Sequence, residues 1–186
     1  LHEHEPVEDQ IVGPFTRTLE RGGVILIPAF AVGRSQQVTL ILRNLMNAGK
    51  LPEVPIHIDS PMAIDATSIY SNYLDQHNLD ACVSEDGRSR LFPREVFFHK
   101  SVELSKELNR SKGPRIILSA SGMMTAGRIL HHLKHRLKDS NNLICVVGYQ
   151  ASGTRGRALL GGAKHIRIHG EDVPVRAQFM TINGLS

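Results

Sequence analysis

The sequence predicts an α/β fold with a mostly parallel sheet flanked by helices, and three observations carry that reading. Short, nearly continuous apolar runs recur: Val24-Ile25-Leu26-Ile27-Pro28, Pro55-Ile56-His57-Ile58, Arg115-Ile116-Ile117-Leu118 and Leu143-Ile144-Cys145-Val146-Val147. Strands of a sheet covered on both faces have this composition, because neither face meets water. Between the runs lie stretches with helical periodicity, such as residues 36–47, where Val38, Ile41, Leu42 and Leu45 share one stripe. Finally, the runs are followed by loops of small and hydroxylated residues that lead into the next helix.

In chain order, residues 8–21 suit a helix that Gly22-Gly23 ends. A strand at 24–28 precedes a helix at 36–47, stopped at Gly49. The strand at 55–58 leads into a helix at 63–76, and residues 78–95 are polar and irregular. A helix over 100–110 precedes the strand at 115–118, and a helix over 127–138 precedes the strand at 143–147. A short helix follows at 155–160, then β-structure at 165–168 and 173–182. We expect 1–162 to form the main domain and 163–186 a return segment ending in a detached strand. The chain opens without Met on Leu1-His2-Glu3 and closes on a strand-like run, as an internal segment of a longer protein would.

Composition narrows the function. With 186 residues, 41% of them hydrophobic, the chain is long enough for one domain with a real core. Aromatics are 5% and Trp is absent, so aliphatic residues must fill that core. Cys82 and Cys145 form no CxxC pair, and Cys145 lies inside an apolar run. A free thiol in a reducing, cytoplasmic compartment is the expectation. No apolar run reaches the length of a membrane span, so no membrane partner is expected. Residues 1–87 carry net charge −7 and residues 88–176 carry +11. Such polarity points to a polyanionic partner for the second half; a solvated basic face is the alternative.

The loops after the strands carry the chemistry, since ligands of such sheets sit at the carboxyl ends of the strands. They read Ala29-Phe30-Ala31-Val32-Gly33-Arg34-Ser35, Asp59-Ser60-Pro61-Met62-Ala63, Ser119-Ala120-Ser121-Gly122-Met123-Met124, and Gly148-Tyr149-Gln150-Ala151-Ser152-Gly153-Thr154-Arg155. Backbone N–H groups at helix starts, hydroxyls and a guanidinium together suit phosphate, although turns use the same residues. The dinucleotide G-x-G-x-x-G and the nucleophile-elbow G-x-S-x-G are absent, and the G-x4-G of Gly156 and Gly161 is followed by Gly162-Ala163 rather than Lys and Ser/Thr.

In the helix over 127–138, Arg128, His132 and Arg136 recur one turn apart as a basic row. A cation at Arg128 opposes the helix dipole, a cost that a bound phosphate would offset. His131 and His135 have the i, i+4 spacing of a metal clamp, but no third ligand is evident. Polyanion contact ranks first for this helix, a solvated face second and a metal third. Asp59 reads as a structural cap or loop brace. His2, Glu3, His4 and Glu5 resemble a ligand cluster at an end expected to be disordered.

Four ordered blocks, Ile27-Pro28-Ala29-Phe30-Ala31-Val32-Gly33-Arg34, Asp59 to Ala63, Ser119 to Met124 with Gly127-Arg128, and Gly148-Tyr149-Gln150 with Gly153-Thr154, resemble the β-CASP nucleases. The closest likeness is to their RNA-processing branch, typified by ribonuclease J and the cleavage-and-polyadenylation endonuclease. One departure is Ala126, where a second Gly before Gly127 would be usual. The resemblance implies a Rossmann-like β-CASP domain inserted in a metallo-β-lactamase domain. It implies zinc as the parent's cofactor, held by ligands outside this chain, so the metal and catalytic residues of this chain are expected to be none. The implied partners are single-stranded RNA and the chain's own metallo-β-lactamase domain, with a homodimer as a further expectation. Arg34, Ser60, Ser121, Arg128 and His132 are the expected RNA contacts. Two other readings stand beside this one. A catalytically silent β-CASP partner protein would lack the upstream zinc motif, and a small-molecule phosphate or nucleotide enzyme would need a preformed pocket.

Overall fold

A computed structural model describes residues 5–72 and 96–185. The apolar runs become strands β1 (Val24–Pro28), β2 (Ile56–Ile58), β4 (Arg115–Ser119) and β5 (Leu143–Val146), each almost wholly buried. They are joined by β3 (Val96–Phe98) and β8 (Gln178–Thr181) in one parallel sheet ordered β3-β2-β4-β1-β5-β8. The short strands β6 (His165–Ile168) and β7 (Glu171–Pro174) form an antiparallel hairpin beside it.

Alternation along β1 assigns the two faces. Ile25 and Ile27 point toward α1 (Val7–Glu20) and α2 (Arg34–Asn47), packing with Phe15, Leu19, Leu42 and Leu45. Val24 and Leu26 point the other way, toward α4 (Val102–Arg110), α5 (Ile129–Arg136), α6 (Arg155–Leu160) and the hairpin, packing with Leu108, Ile129, Leu133 and Ile168. Two helical layers on opposite faces follow from right-handed crossovers on both sides of β1. Helix α3 (Pro61–Asn72) follows β2 and adds Ala63 and Ile64 to a small cluster with Ala31 and Ile58.

Three sequence expectations need correction. The last strand is not detached: Leu143–Val146 pair in parallel with Gln178–Thr181, and Ile182 and Leu185 enter the core beneath α1. Parallel backbone pairing and burial of Ile182 hold this segment to the sheet. Strand β3 has no counterpart in the sequence reading, because Val96-Phe97-Phe98 is apolar but only three residues long and lies between a polar stretch and a helix. Helix α5 starts at Ile129 rather than 127, since Gly127 has φ 87° and Arg128 serves as the N-cap. The irregular stretch at 78–95, with Cys82, and the terminal His2 and His4 lie outside the described residues. Among the described residues, no helix is long and apolar enough to cross a membrane.

Candidate nucleic-acid interface

Because β2, β4, β1 and β5 are parallel neighbours, the loops after them emerge at one edge of the sheet. Side chains then tie loop to loop. Gln36, in the first turn of α2, donates to the Ala31 carbonyl at 3.2 Å and the Ala63 carbonyl at 3.3 Å, joining the first loop to α3. Gln150 donates to the Gly122 carbonyl at 2.9 Å, joining the fourth loop to the third. The Phe30 ring lies against Gly122, where an added Cβ would stand 3.2 Å from it. Gly156 is confined by the same brace: a Cβ there would fall 1.6 Å from Gln150 Oε1.

At the start of α5 the structure builds a buried charge cluster around Asp59, which is 0% exposed. Arg128 Nη1 donates to Asp59 Oδ1 at 2.7 Å and to the His99 carbonyl at 2.6 Å, while Nη2 reaches the Lys100 carbonyl at 2.7 Å. His132 Nε2 meets Asp59 Oδ2 at 2.6 Å, and Ser105 Oγ donates to the same oxygen. His132 Nδ1 faces Asn109 Oδ1 at 2.8 Å, and the Asn109 amide nitrogen donates to the Ser105 carbonyl. Both ring nitrogens of His132 therefore face oxygen acceptors. Burial pushes the Asp59 carboxyl up, but the hydrogen bonds from His132, Ser105 and Arg128 outweigh it and hold the carboxyl below its ordinary value.

Beside this cluster, His57 Nδ1 lies 2.8 Å from His99 Nε2, and the His57 ring stacks on Phe97. Burial, reinforced by the neighbouring His99, Arg115 and His132 charges, lowers His57 to about 4. His99 is also lowered, chiefly by burial.

The five residues expected to touch RNA divide into two groups. Arg34 is partly exposed, its guanidinium held 3.1 Å from Gln37 Oε1, and Ser121 is partly exposed in the third loop, its Oγ accepting from the Thr125 and Ala126 amides. Ser60 is buried and its Oγ accepts from Ala63 N at 3.3 Å, capping α3. His132 is 0% exposed with both nitrogens occupied, so direct contact with RNA does not match its position. Arg128 is 17% exposed with its fork filled by protein oxygens. The anion that offsets its place at the start of α5 is Asp59, rather than a phosphate. Arg136 likewise points inward and donates to the Leu108 carbonyl at the end of α4. The sequence signal for the cluster lay in two i, i+4 polar pairs, Ser105 with Asn109 on α4 and Arg128 with His132 at the start of α5, converging on the residue after β2.

His131 and His135 are exposed on the outer side of α5, and His131 lies against His169, with ring centroids 4.6 Å apart. Among the described residues, no three His, Cys, Asp or Glu side chains are grouped to hold a metal ion.

Residues 35–159 match the Beta-Casp domain model. The chain belongs to that family. This Beta-Casp domain is 40% identical over 177 residues to ribonuclease TTHA0252 of Thermus thermophilus, an alignment covering 91% of the chain and 39% of that protein. It is 37% identical over 176 residues to an RNase J-like protein of Methanocaldococcus jannaschii, covering 95% of the chain and 40% of the relative. The transcription termination factor FttA of the same archaeon is 35% identical over 201 residues, covering 100% of the chain and 30% of the factor. The Beta-Casp domain thus spans two fifths or less of the length of these relatives.

Proposed function

We propose that this Beta-Casp domain is the part of a cytoplasmic, zinc-dependent ribonuclease that holds single-stranded RNA over the cleft where a phosphodiester is hydrolysed. The observation that carries the reading is the loop edge itself. Phe30 (48% exposed) and Tyr149 (77% exposed) flank small-residue loops that also present Arg34, Ser121 and several helix-start amides. Aromatic faces beside a cation and backbone donors suit unpaired bases and their phosphates. The similarity to a ribonuclease and to an RNase J-like protein supports the same substrate class. This reading assigns the zinc, and the water it would activate, to a metallo-β-lactamase domain outside the chain. The role of the Asp59 cluster is then to fix the start of α5 and the third loop, not to touch substrate.

The test is fluorescence anisotropy of labelled single-stranded RNA across a salt series. Without a second wall to the cleft, the expected Kd is on the order of 10–100 µM at physiological salt, weakening steeply as salt rises and counterions compete. Arg34→Ala is expected to cost about 1–2 kcal/mol, the value of a charge-assisted phosphate contact. Lys50→Ala, after α2 and outside the four loops, should change little. Salt-independent binding, or equal losses for the two variants, would contradict the reading.

A further inference from the structure

We propose that the cavity between α4 and α5 is a phosphate-binding pocket, separate from the loop edge. The cavity measures about 350 Å³ and is lined by Lys106, Asn109 and Arg110 from α4, with Arg128, His131 and His135 at and along α5. That volume lies within the range of small-molecule sites, about 300–1,000 Å³. Lys106 and Arg110 stand one turn apart on one helix, and His131 and His135 one turn apart on the other, so two basic rows line the groove. No carboxylate lines the cavity among the described residues.

The cations differ in how far their charge is already matched. Arg128 is paired to Asp59. Lys106 and Arg110, by contrast, make no ion pair or hydrogen bond among the described residues. Glu103 and Glu107 occupy the neighbouring row of α4 and do not reach into the cavity. A concave site that gathers unpaired like charges raises the local concentration of anions. A phosphate group, with its several acceptor oxygens, can take donors from both walls at once.

The histidines add a pH dependence to this geometry. His131 is lowered by burial first, then by the adjacent His169, His132 and Lys134, with Asp59 opposing. His135 is lowered by burial and by Arg136, His132, Lys134 and Lys138. Lys106 and Arg110 line the same groove. An anion bound among them reverses that repulsion, so it is held more tightly as pH falls and the rings protonate.

The pocket stands independently of the RNA-holding reading, and its ligand chemistry is a phosphate group, whether free or carried on a strand. The test follows the histidine ring resonances of the protein while inorganic phosphate is added at constant ionic strength. His131 and His135 should shift saturably, with a Kd on the order of 1 mM, and chloride at matched ionic strength should not reproduce the shift. The exposed double variant Lys106→Ala/Arg110→Ala should weaken binding about tenfold while leaving thermal stability unchanged. Sulfate, a dianion throughout, should bind more tightly at pH 6 than at pH 8, and His135→Ala should flatten that difference. Unshifted histidines, a shift reproduced by chloride, or full affinity in the double variant would overturn the pocket. A single-stranded RNA without terminal phosphate distinguishes the sources: displacement of phosphate assigns the pocket to the strand, and undisturbed phosphate assigns it to a free ligand. Absence of phosphate binding by the unaltered protein, with RNA binding intact, overturns the pocket alone.

Discussion

Asp59→Ala is expected to lower the stability of the fold by about 3–5 kcal/mol, the cost of stranding buried partners of a removed charge. A domain's whole margin is only about 5–15 kcal/mol, so this one change removes a large part of it. The carboxylate accepts from Arg128, His132 and Ser105 while fully buried. Asp59→Asn should also be costly, because three donors converge on two oxygens and the amide offers only one acceptor. Denaturant melts of Asp59→Ala, Arg128→Ala and the double variant give the check. The double variant should lose clearly less than the sum, since each single change strands what the other removes. Additive losses, or a cost below about 1 kcal/mol for Asp59→Ala, would mean the cluster is not a coupled unit. Its contribution is complete above the ordinary carboxylate range. It fades as pH falls through the lower folded-state value of Asp59.

A second large effect is expected on mild acidification, and it comes from His57. Its folded value of about 4 lies below the ordinary 6.5, so between those pH values the unfolded chain binds a proton that the folded chain refuses. Stability therefore rises with pH through this window. It is highest above pH 6.5 and is lost progressively on the way to pH 4, by about 3 kcal/mol at most. Exposure of only 8% makes burial the main cause. His57→Gln, which cannot protonate, should remove most of the slope between pH 7 and 4. The residual slope belongs to His99, His131 and His135, which are lowered as well. Urea melts at half-unit pH steps measure the difference. Parallel pH profiles for wild type and His57→Gln would refute the assignment.

The sheet was legible because its physics is local. Ile25, Leu26 and Ile27 are apolar without a break, and only a strand buried on both faces needs that, so the sequence identified β1, β2, β4 and β5 with bounds close to those observed. Strand β3 was not, because an edge strand may expose Phe97 and Phe98 and still pair with β2. The site was half legible. Loop composition after each strand singled out four loops that the parallel sheet gathers at one edge, and Gly127 and Gly156 mark where backbone and brace leave no room for a side chain. The basic row on α5 was read with the right residues and the wrong direction. Spacing puts Arg128, His132 and Arg136 on one face, but only tertiary structure decides whether that face meets solvent or the carboxylate of Asp59, which lies 69 residues from Arg128 in sequence and 46 from its nearest side-chain partner, Ser105.

The most direct test of the central claim is photo-crosslinking of single-stranded RNA to the protein, followed by peptide mass spectrometry. Bases stacked at the loop edge should crosslink to Phe30 and Tyr149 and to the peptides carrying Arg34 and Ser121, with high salt suppressing all of them together. Crosslinks confined to the outer faces of α1 and α2, or unaffected by salt, would contradict the account and move the RNA surface away from the carboxyl edge of the sheet.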